Sequence, residues 1–518
     1  MNPPPAASHS RAPLVIAATV STLGGLLFGY DNIVISGAIG FLSKLFGLDA
    51  AGVGWAAGCA LVGCIVGCAA AGTVADYLGK KKGLAICALC FALSSVGMLF
   101  ATDLHQFVLW RLIGGVGIGA ASVIAPNYIA EIAPTRIRGR CVTLYQLGIV
   151  VGILAAVFVN MLIQRMGDEA WNISTGWRWM FFAGIVPAIL FGFMILPAVE
   201  SPRWLMKMGR NDQALRVLAK IMGPEAAREA AEIQSSLAIE EGHISELFTT
   251  FRRPLLLGIM LAGLQQISGV TPLFSFLPEI FRSAGTATSD AFFQSVLVSI
   301  INLLFTLCAL WLVDRAGRKT LILAGTALQF VSFALVGWFY HIHGSALAVL
   351  IFVMSFVAGH AFGNGVACWV IISEIYPTKV RGRGMSIATT ALWLVGYLGN
   401  QLFPIMQKHL GSDGTFWCFS AGALSTIVLV GWLVPETKGR SLEEITKFWT
   451  EEKDSDTRGP RRRQAAQGAL GVGARFVDRA VAMVLGNFVV RVPANRIVVV
   501  PALRARSVPE PPGSNSGP

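Results

Sequence analysis

Long apolar stretches, interrupted at intervals by short polar ones, dominate the chain. A helix needs roughly 20 apolar residues to cross a bilayer. By that standard the pattern predicts about twelve spans. Six lie near residues 14 to 41, 51 to 75, 83 to 101, 107 to 130, 141 to 163 and 178 to 197. After a polar insert come 254 to 281, 291 to 313, 320 to 340, 346 to 373, 384 to 407 and 415 to 434. The interruptions alternate in charge. Lys80 to Lys82, Arg136 with Arg138 and Arg140, the insert, Arg315 with Arg318 and Lys319, and Lys379 with Arg381 and Arg383 are basic. The intervening loops carry isolated residues such as Lys44, Arg165, Arg282 and Lys408. Basic loops remain on the cytoplasmic side, so both termini and the insert are predicted to be cytoplasmic. The first run is too long for a signal-peptide core and lacks a clear cleavage site; it reads as an uncleaved span.

Within the insert, residues 198 to 253, Leu215, Leu218 and Met222 recur at helical spacing among charges. This predicts short amphipathic helices lying against the inner face. The halves on either side repeat each other: AEIAPTRIRGR from Ala130 to Arg140 matches SEIYPTKVRGR from Ser373 to Arg383, and DYLGKK from Asp76 matches DRAGRK from Asp314. Such duplication predicts an all-α membrane protein of two six-helix bundles, residues 1 to 197 and 254 to 450, joined by the insert, with a site near the midplane between them. Ser441 and Glu444 have capping-box spacing for a short cytoplasmic helix. From 451 to 518 Arg, Gly and Pro mix with Val and Ala. Gly471, Gly473 and Gly486 argue against a regular helix there, and the segment reads as a disordered tail without assigned function.

Composition sharpens this picture. With 54% hydrophobic and 14% charged residues among 518, the chain is too apolar for a soluble protein of its length. The net charge of +12 lies in loops that set topology and does not indicate nucleic-acid binding. The nine cysteines stand singly in or beside apolar runs, without the clustered spacing of a zinc site, and are expected to serve packing.

Candidate chemistry begins with Asp31, a carboxylate inside the first span. At such depth it costs several kcal/mol unless protonated, paired or wet. The first span runs outward and the fourth inward. At ~1.5 Å per residue, Asp31 lies roughly 25 Å from the cytoplasmic end and Arg111 roughly 6 Å below the outer end. In a hydrocarbon core ~30 Å thick the two depths nearly coincide, so an Asp31–Arg111 pair is predicted. It serves either as a structural pin or as a proton site whose protonation releases Arg111 and rebalances two conformations. One proton crossing 100 mV supplies about 2.3 kcal/mol, enough for roughly fifty-fold accumulation of a neutral solute.

Gln265 and Gln266 in the seventh span and Asn302 in the eighth each lie ~17 Å from the start of their spans, so they are expected to meet near the midplane. Amides suit sugar hydroxyls, and a flat indole such as Trp369 covers the apolar face of a pyranose; interhelical hydrogen bonding is the competing explanation. At the cytoplasmic ends, Asp76, Glu131, Arg138, Glu200, Asp314, Arg315, Arg318, Glu374, Arg381 and Glu436 bring opposite charges together, as an inner gate would need. His360 lies inside a span, whereas His341, His343 and His409 sit near span ends; all four read as structural or incidental.

These residues resemble the sugar porter family of the major facilitator superfamily over roughly Leu14 to Phe448. The matching stretches are GGLLFGYD at Gly24 to Asp31, RLIGGVGIG from Arg111, ESPRWL from Glu200, QQISGV from Gln265, DRAGRK from Asp314 and PETKGRSLEE from Pro435. Bacterial proton-coupled pentose and hexose symporters are the most similar members. Their first-span Asp and fourth-span Arg correspond to Asp31 and Arg111, whereas passive glucose carriers have Asn at the first position. The resemblance implies sugar contacts at Phe28, Gln146, Gln265, Gln266, Asn302, Gly365 and Trp369, with Thr271 in place of a family Asn. It departs further at Pro272, at Ser275-Phe276 where the family has a tyrosine pair, at Leu392 where an amide usually precedes Trp393, and at Tyr77, which replaces an Arg.

The sequence therefore predicts a proton–sugar symporter working by alternating access, needing no cofactor or metal beyond the proton, monomeric and multi-pass in the cell membrane, the inner membrane of a bacterium. A passive uniporter is the alternative, and a non-transporting sugar sensor a more distant one. An enzyme is not expected, because no nucleophile–base pair or metal cluster falls at the midplane.

Overall fold

A computed structural model describes residues 12–134, 136–239, 245–376, 380–434 and 436. The first half opens with α1 (Ala12–Ile33) and α2 (Ile35–Phe46), which meet at Val34 to form one span. Next come α3 (Ala50–Leu78), α4 (Lys80–Phe100), α5 (Leu104–Ile132) and α6 (Arg138–Gln164). The sixth span is assembled from α7 (Glu169–Trp171), a π turn at Asn172–Gly176, α8 (Trp177–Phe182) and α9 (Ile185–Ile195). The linker holds α10 (Pro202–Lys207), α11 (Asn211–Met222), α12 (Ala226–Ile239) and α13 (Ser245–Phe248). The second half contains α14 (Arg252–Ile267), α15 (Val270–Ser275), α16 (Leu277–Ser283), α17 (Thr288–Ala316) and α18 (Arg318–His341). It ends with α19 (Ala346–Gly359), a π turn at His360–Asn364, α20 (Gly365–Ile375) and α21 (Arg381–Leu433).

Eleven helical stretches among the described residues are long and apolar enough to cross a membrane. The last, α21, is two helices meeting at Gly411 (φ 73°, ψ 173°), so the chain makes twelve crossings. Several starts are capped by the local sequence: Asp49 Oδ1 accepts from the Gly52 amide at 2.8 Å and Asp103 Oδ1 from the Gln106 amide at 2.9 Å, satisfying amides that a helix N-terminus leaves free.

Four predicted spans are not single helices: the first and sixth, as above, and the seventh and tenth. The seventh, expected as one run over 254 to 281, breaks at Gly269 and again at Phe276. Gly269 adopts φ 83°, and a Cβ there would lie 2.6 Å from the Phe419 ring, so glycine's freedom at positive φ is needed. Pro272 and Pro278 beyond it donate no backbone hydrogen bond. The tenth span is interrupted by its π turn. In the linker, Leu218 and Met222 of α11 are buried as their spacing predicts, whereas Leu215 points outward, 40% exposed. The helix expected near Ser441 and the tail from 451 to 518 lie outside the described residues. All nine cysteines are free thiols; most are buried, but Cys308 and Cys418 lie on the exposed surface instead of packing inside.

The repeat seen in sequence is matched bond for bond at the linker end of each half. Glu200 accepts from the Lys80 and Lys81 amides at 3.0 and 3.2 Å, and Glu436 from the Arg318 and Lys319 amides at 3.1 and 3.2 Å. Each carboxylate thus sits on the N-terminus of a third or ninth span, where the helix dipole favours it. Lys81 Nζ donates to the Leu196 carbonyl at 2.8 Å and Lys319 Nζ to that of Gly431 at 2.9 Å. Lys80 pairs with Glu131 as Arg318 pairs with Glu374, the latter at 3.3 Å. Two bundles built alike are the direct consequence.

At the end far from the linker, the bundles are tightly joined. Asn400 Nδ2 donates to the Ala57 carbonyl at 3.3 Å and Gln401 Nε2 to that of Ala51 at 2.9 Å, bridging α21 to α3. The rings of Phe41 and Phe292 stack with centroids 6.4 Å apart, within an apolar cluster drawn from both halves. Toward the linker end, the hydrogen bonds that join α3 to α21 among the described residues are long sulfur contacts of Cys68 at 4.0 Å.

Candidate functional site

Asp31 lies two residues before the end of α1, and α5 brings Arg111 to it as depth alone predicts. Arg111 Nη1 stands 3.3 Å from Asp31 Oδ1 and donates to the Asp31 carbonyl at 2.9 Å. The arginine side chain is 1% exposed and the carboxylate 13%; Arg111 also lies over the Phe181 ring, 5.2 Å from its centroid. Burial of this kind makes each partner dependent on the other, since an uncompensated charge in an apolar interior is strongly unfavourable. Asp31 Oδ2 is buried and has no hydrogen-bond partner. It faces Gly114, where a Cβ would lie 3.0 Å from Oδ2 and 2.6 Å from Ser94 Oγ. The absent side chain leaves room for the carboxyl group beside a serine hydroxyl. Asn160 steadies the junction of α1 and α2, donating to the Val34 carbonyl at 3.1 Å.

Most of the predicted sugar-site residues lie on the break-containing spans. Gln265 is buried, and its Nε2 donates to the Asn364 carbonyl at 3.0 Å while its Oε1 is left without a partner. Gln266 Oε1 accepts from the Thr271 hydroxyl, so the residue replacing the family's Asn is tied to the second glutamine. Asn302 is buried on α17, but no hydrogen bond joins it to either glutamine. Gly365 opens α20, and Trp369 is half-buried on it. From the other bundle come Gln146, half-buried on α6, and Phe28. The Phe28 ring lies 5.4 Å from that of Trp393, an aromatic contact across the two halves. Trp393 Nε1 is buried and unpartnered, and Leu392 beside it is buried.

The residues expected at an inner gate divide. Glu131, Glu200, Arg318, Glu374 and Glu436 form the ties within each bundle described above, with Ser201 Oγ also donating to Glu131. Arg138 reaches Glu229 of the linker at 3.5 Å, and Asp76 pairs with Lys207 at 3.0 Å. Arg381 Nε donates to the Tyr376 carbonyl at 3.4 Å, and the Arg315 guanidinium stacks 3.9 Å from the Trp311 ring centroid. Asp314 belongs to α17, but its side chain lies outside those described. The named pairs fasten helices within one bundle, or a bundle to the linker.

Five further buried polar residues, Asn160, Thr326, Gln329, Asn364 and Asn400, carry no role in the pattern read from the sequence. Thr326 Oγ1 donates to Asn364 Oδ1 at 3.3 Å, Asn364 Nδ2 to Gln329 Oε1 at 3.4 Å, and Asn400 Nδ2 to Ser275 Oγ at 3.0 Å. All five are polar groups inside apolar runs, the same signal that exposed Gln265.

The family model described as "Sugar (and other) transporter" matches residues 17–449. The chain is similar to the arabinose-proton symporter of Bacillus subtilis (strain 168), 38% identical over 452 residues that cover 86% of this chain and 97% of the relative. It is also similar to the D-xylose-proton symporter of Escherichia coli (strain K12), 35% identical over 466 residues, 84% of this chain and 95% of the relative. Among solved structures, it is similar to the xylose transporter XylE from E. coli in a partially occluded inward-open conformation. The TM-score is 0.76 and the identity 33%, with 83% of this chain and all of that one covered. The two-bundle architecture, the buried Asp31–Arg111 pair and these similarities converge: the chain belongs to the sugar transporter family and has the major facilitator fold.

Proposed function

We propose that the chain is a proton-coupled monosaccharide symporter, taking a pentose or hexose and working by alternating access. The observation that carries this is the buried Asp31–Arg111 pair with one carboxylate oxygen unpartnered. A proton arriving on Asp31 cancels the charge attraction, yet Arg111 keeps the Asp31 carbonyl as an acceptor, so the arginine is not stranded. The balance between two packings of the bundles then depends on whether Asp31 carries a proton, which is the coupling a symporter needs. Two similar proteins are named as proton symporters for arabinose and xylose, which supports the same coupling here.

The sugar site in this reading lies between the bundles, with Phe28 and Gln146 on one side and Gln265, Gln266, Thr271, Asn302, Gly365 and Trp369 on the other. Sugar hydroxyls would take up the free amide groups and the indoles their apolar face. The far end is the outer one and the linker end cytoplasmic, with both termini inside, in the inner membrane of a bacterium. The domains run 1–197, 198–253 and 254–450, with 451–518 as a tail. The tight outer contacts and the loose Cys68 contacts support an inward-facing state. The charges at the inner ends stiffen each bundle so that it rocks as one body, and they close the inner gate when the bundles swing. The protein acts as a monomer in the bilayer, alters no bond of its sugar and needs no cofactor beyond the proton.

Purified protein in liposomes tests this. An imposed inward proton gradient should drive uptake of a labelled pentose or hexose above its equilibrium level, with a panel of unlabelled sugars ranking specificity. Uptake indifferent to the gradient would reject the coupling.

A further inference from the structure

The tenth span leaves regular α-helical geometry at one turn, and a histidine assigned no role stands at its start. The Gly365 amide bonds to the His360 carbonyl, which closes the π turn His360–Asn364. In a regular α-helix five residues advance the chain by about 500°, which would place His360 roughly 140° around from Gly365. The additional residue in a π turn brings the two onto one face. They do lie together: a Cβ on Gly365 would stand 3.2 Å from the His360 carbonyl oxygen and 3.5 Å from its Nε2. Trp369 follows Gly365 by one helical turn and shares that face. His360 is therefore aligned with two positions to which the family resemblance assigns sugar contacts.

The turn is fastened on both flanks. Gln265 of α14 donates to the Asn364 carbonyl, and Thr326 and Gln329 of α18 hold the Asn364 side chain, all of them buried. Within this fixed frame the His360 Nδ1 is buried and has no hydrogen-bond partner, as is Gln265 Oε1. Buried polar atoms are rarely left unpaired, and those that are tend to await a water or a ligand. A neutral imidazole offers one donor and one acceptor, which matches a hydroxyl group.

We propose that His360 is a further sugar contact, its imidazole hydrogen-bonding one hydroxyl of the bound monosaccharide and contributing to the choice among sugars. The proposal rests on the reading of the chain as a monosaccharide carrier. It also supplies a hydrogen-bonding group on the second bundle, where Leu392 supplies none.

The test is a competition experiment in proteoliposomes, using the transported sugar and a set of its single-deoxy analogues against wild type, H360F and H360Q. Wild type should reject one analogue more strongly than the others. H360F should weaken binding of the parent sugar by roughly tenfold, the worth of one such hydrogen bond, and should accept that analogue as well as the parent. H360Q, which keeps a donor and an acceptor, should recover most of the discrimination. An H360F variant that ranks every analogue as wild type does would overturn the proposal, whatever its overall activity. Should H360F not fold, H360A gives the same readout. If wild type itself takes no monosaccharide, the carrier reading fails first, and that result is distinct because it precedes any variant.

Discussion

Gly54 lies near the start of α3, where that helix meets α21 of the other bundle at the end far from the linker. A Cβ there would stand 2.5 Å from the Gln401 carbonyl oxygen, 2.9 Å from its Cα and 3.0 Å from its carbonyl carbon. These are backbone atoms of the opposing bundle, which cannot swing aside as a side chain would. Ordinary non-bonded separations are about 3.5–4.0 Å, so a Gly54→Leu protein must hold its bundles apart by roughly an ångström or more. That parts the Gln401–Ala51 and Asn400–Ala57 hydrogen bonds, each worth about 1 kcal/mol, and adds about 1–3 kcal/mol of overpacking. A total of roughly 3–5 kcal/mol against the outward-closed state is a shift of about two to three and a half orders of magnitude. The protein should be trapped facing outward: purified G54L should still bind sugar, while uptake into liposomes falls about 100-fold or more. Gly72 on the same helix has nothing within 4 Å of its would-be Cβ, so G72L serves as control and should transport normally. G54L uptake at the wild-type rate would refute the closed outer contact as a step of the cycle.

Other consequences follow from the same geometry. L392Q restores an amide beside Trp393; it should reorder the sugar competition series, because a site that pairs a hydroxyl discriminates strongly against analogues lacking it, and an unchanged series would place Leu392 off the sugar. Glu200 and Glu436 each accept two backbone amides at a helix N-terminus. E200A and E436A should each therefore lose about 1–2 kcal/mol, read as a lowered melting temperature in detergent. A loss confined to one of them would contradict the equivalence of the two bundles.

Much of this architecture can be read along one dimension. An apolar run of bilayer length announces its span, and charged loops announce the side on which it ends. The Asp31–Arg111 pair was also legible, because a lone acid in lipid demands a partner and depth alone selects Arg111. What sequence pattern does not carry is the local departure from a straight helix. The break at Gly269 lies against the Phe419 ring of another span, a contact that nothing adjacent in sequence announces. The π turn at His360 depends on Gln265, Thr326 and Gln329, which are distant in the chain, and it moves a histidine onto a face that regular periodicity denies it. Gln265, Gln266 and Asn302 were visible as amides in apolar runs. The partners of the two glutamines were not: Gln265 bonds to the Asn364 carbonyl of the tenth span and Gln266 to Thr271 of its own span. The opposite charges at the linker end of each half were legible as well, but not which of them pair: the pairs described lie within each bundle or reach the linker.

In the proposed cycle, titration of Asp31 drives net accumulation while the sugar pathway works independently of it. The most direct measurement compares wild type with D31N in the same liposomes, following both gradient-driven uptake and exchange of labelled for unlabelled sugar at equal concentrations on the two sides. D31N should abolish accumulation yet still exchange sugar, since asparagine keeps the size of the side chain and cannot carry the proton. Accumulation by D31N at the wild-type level would contradict that cycle.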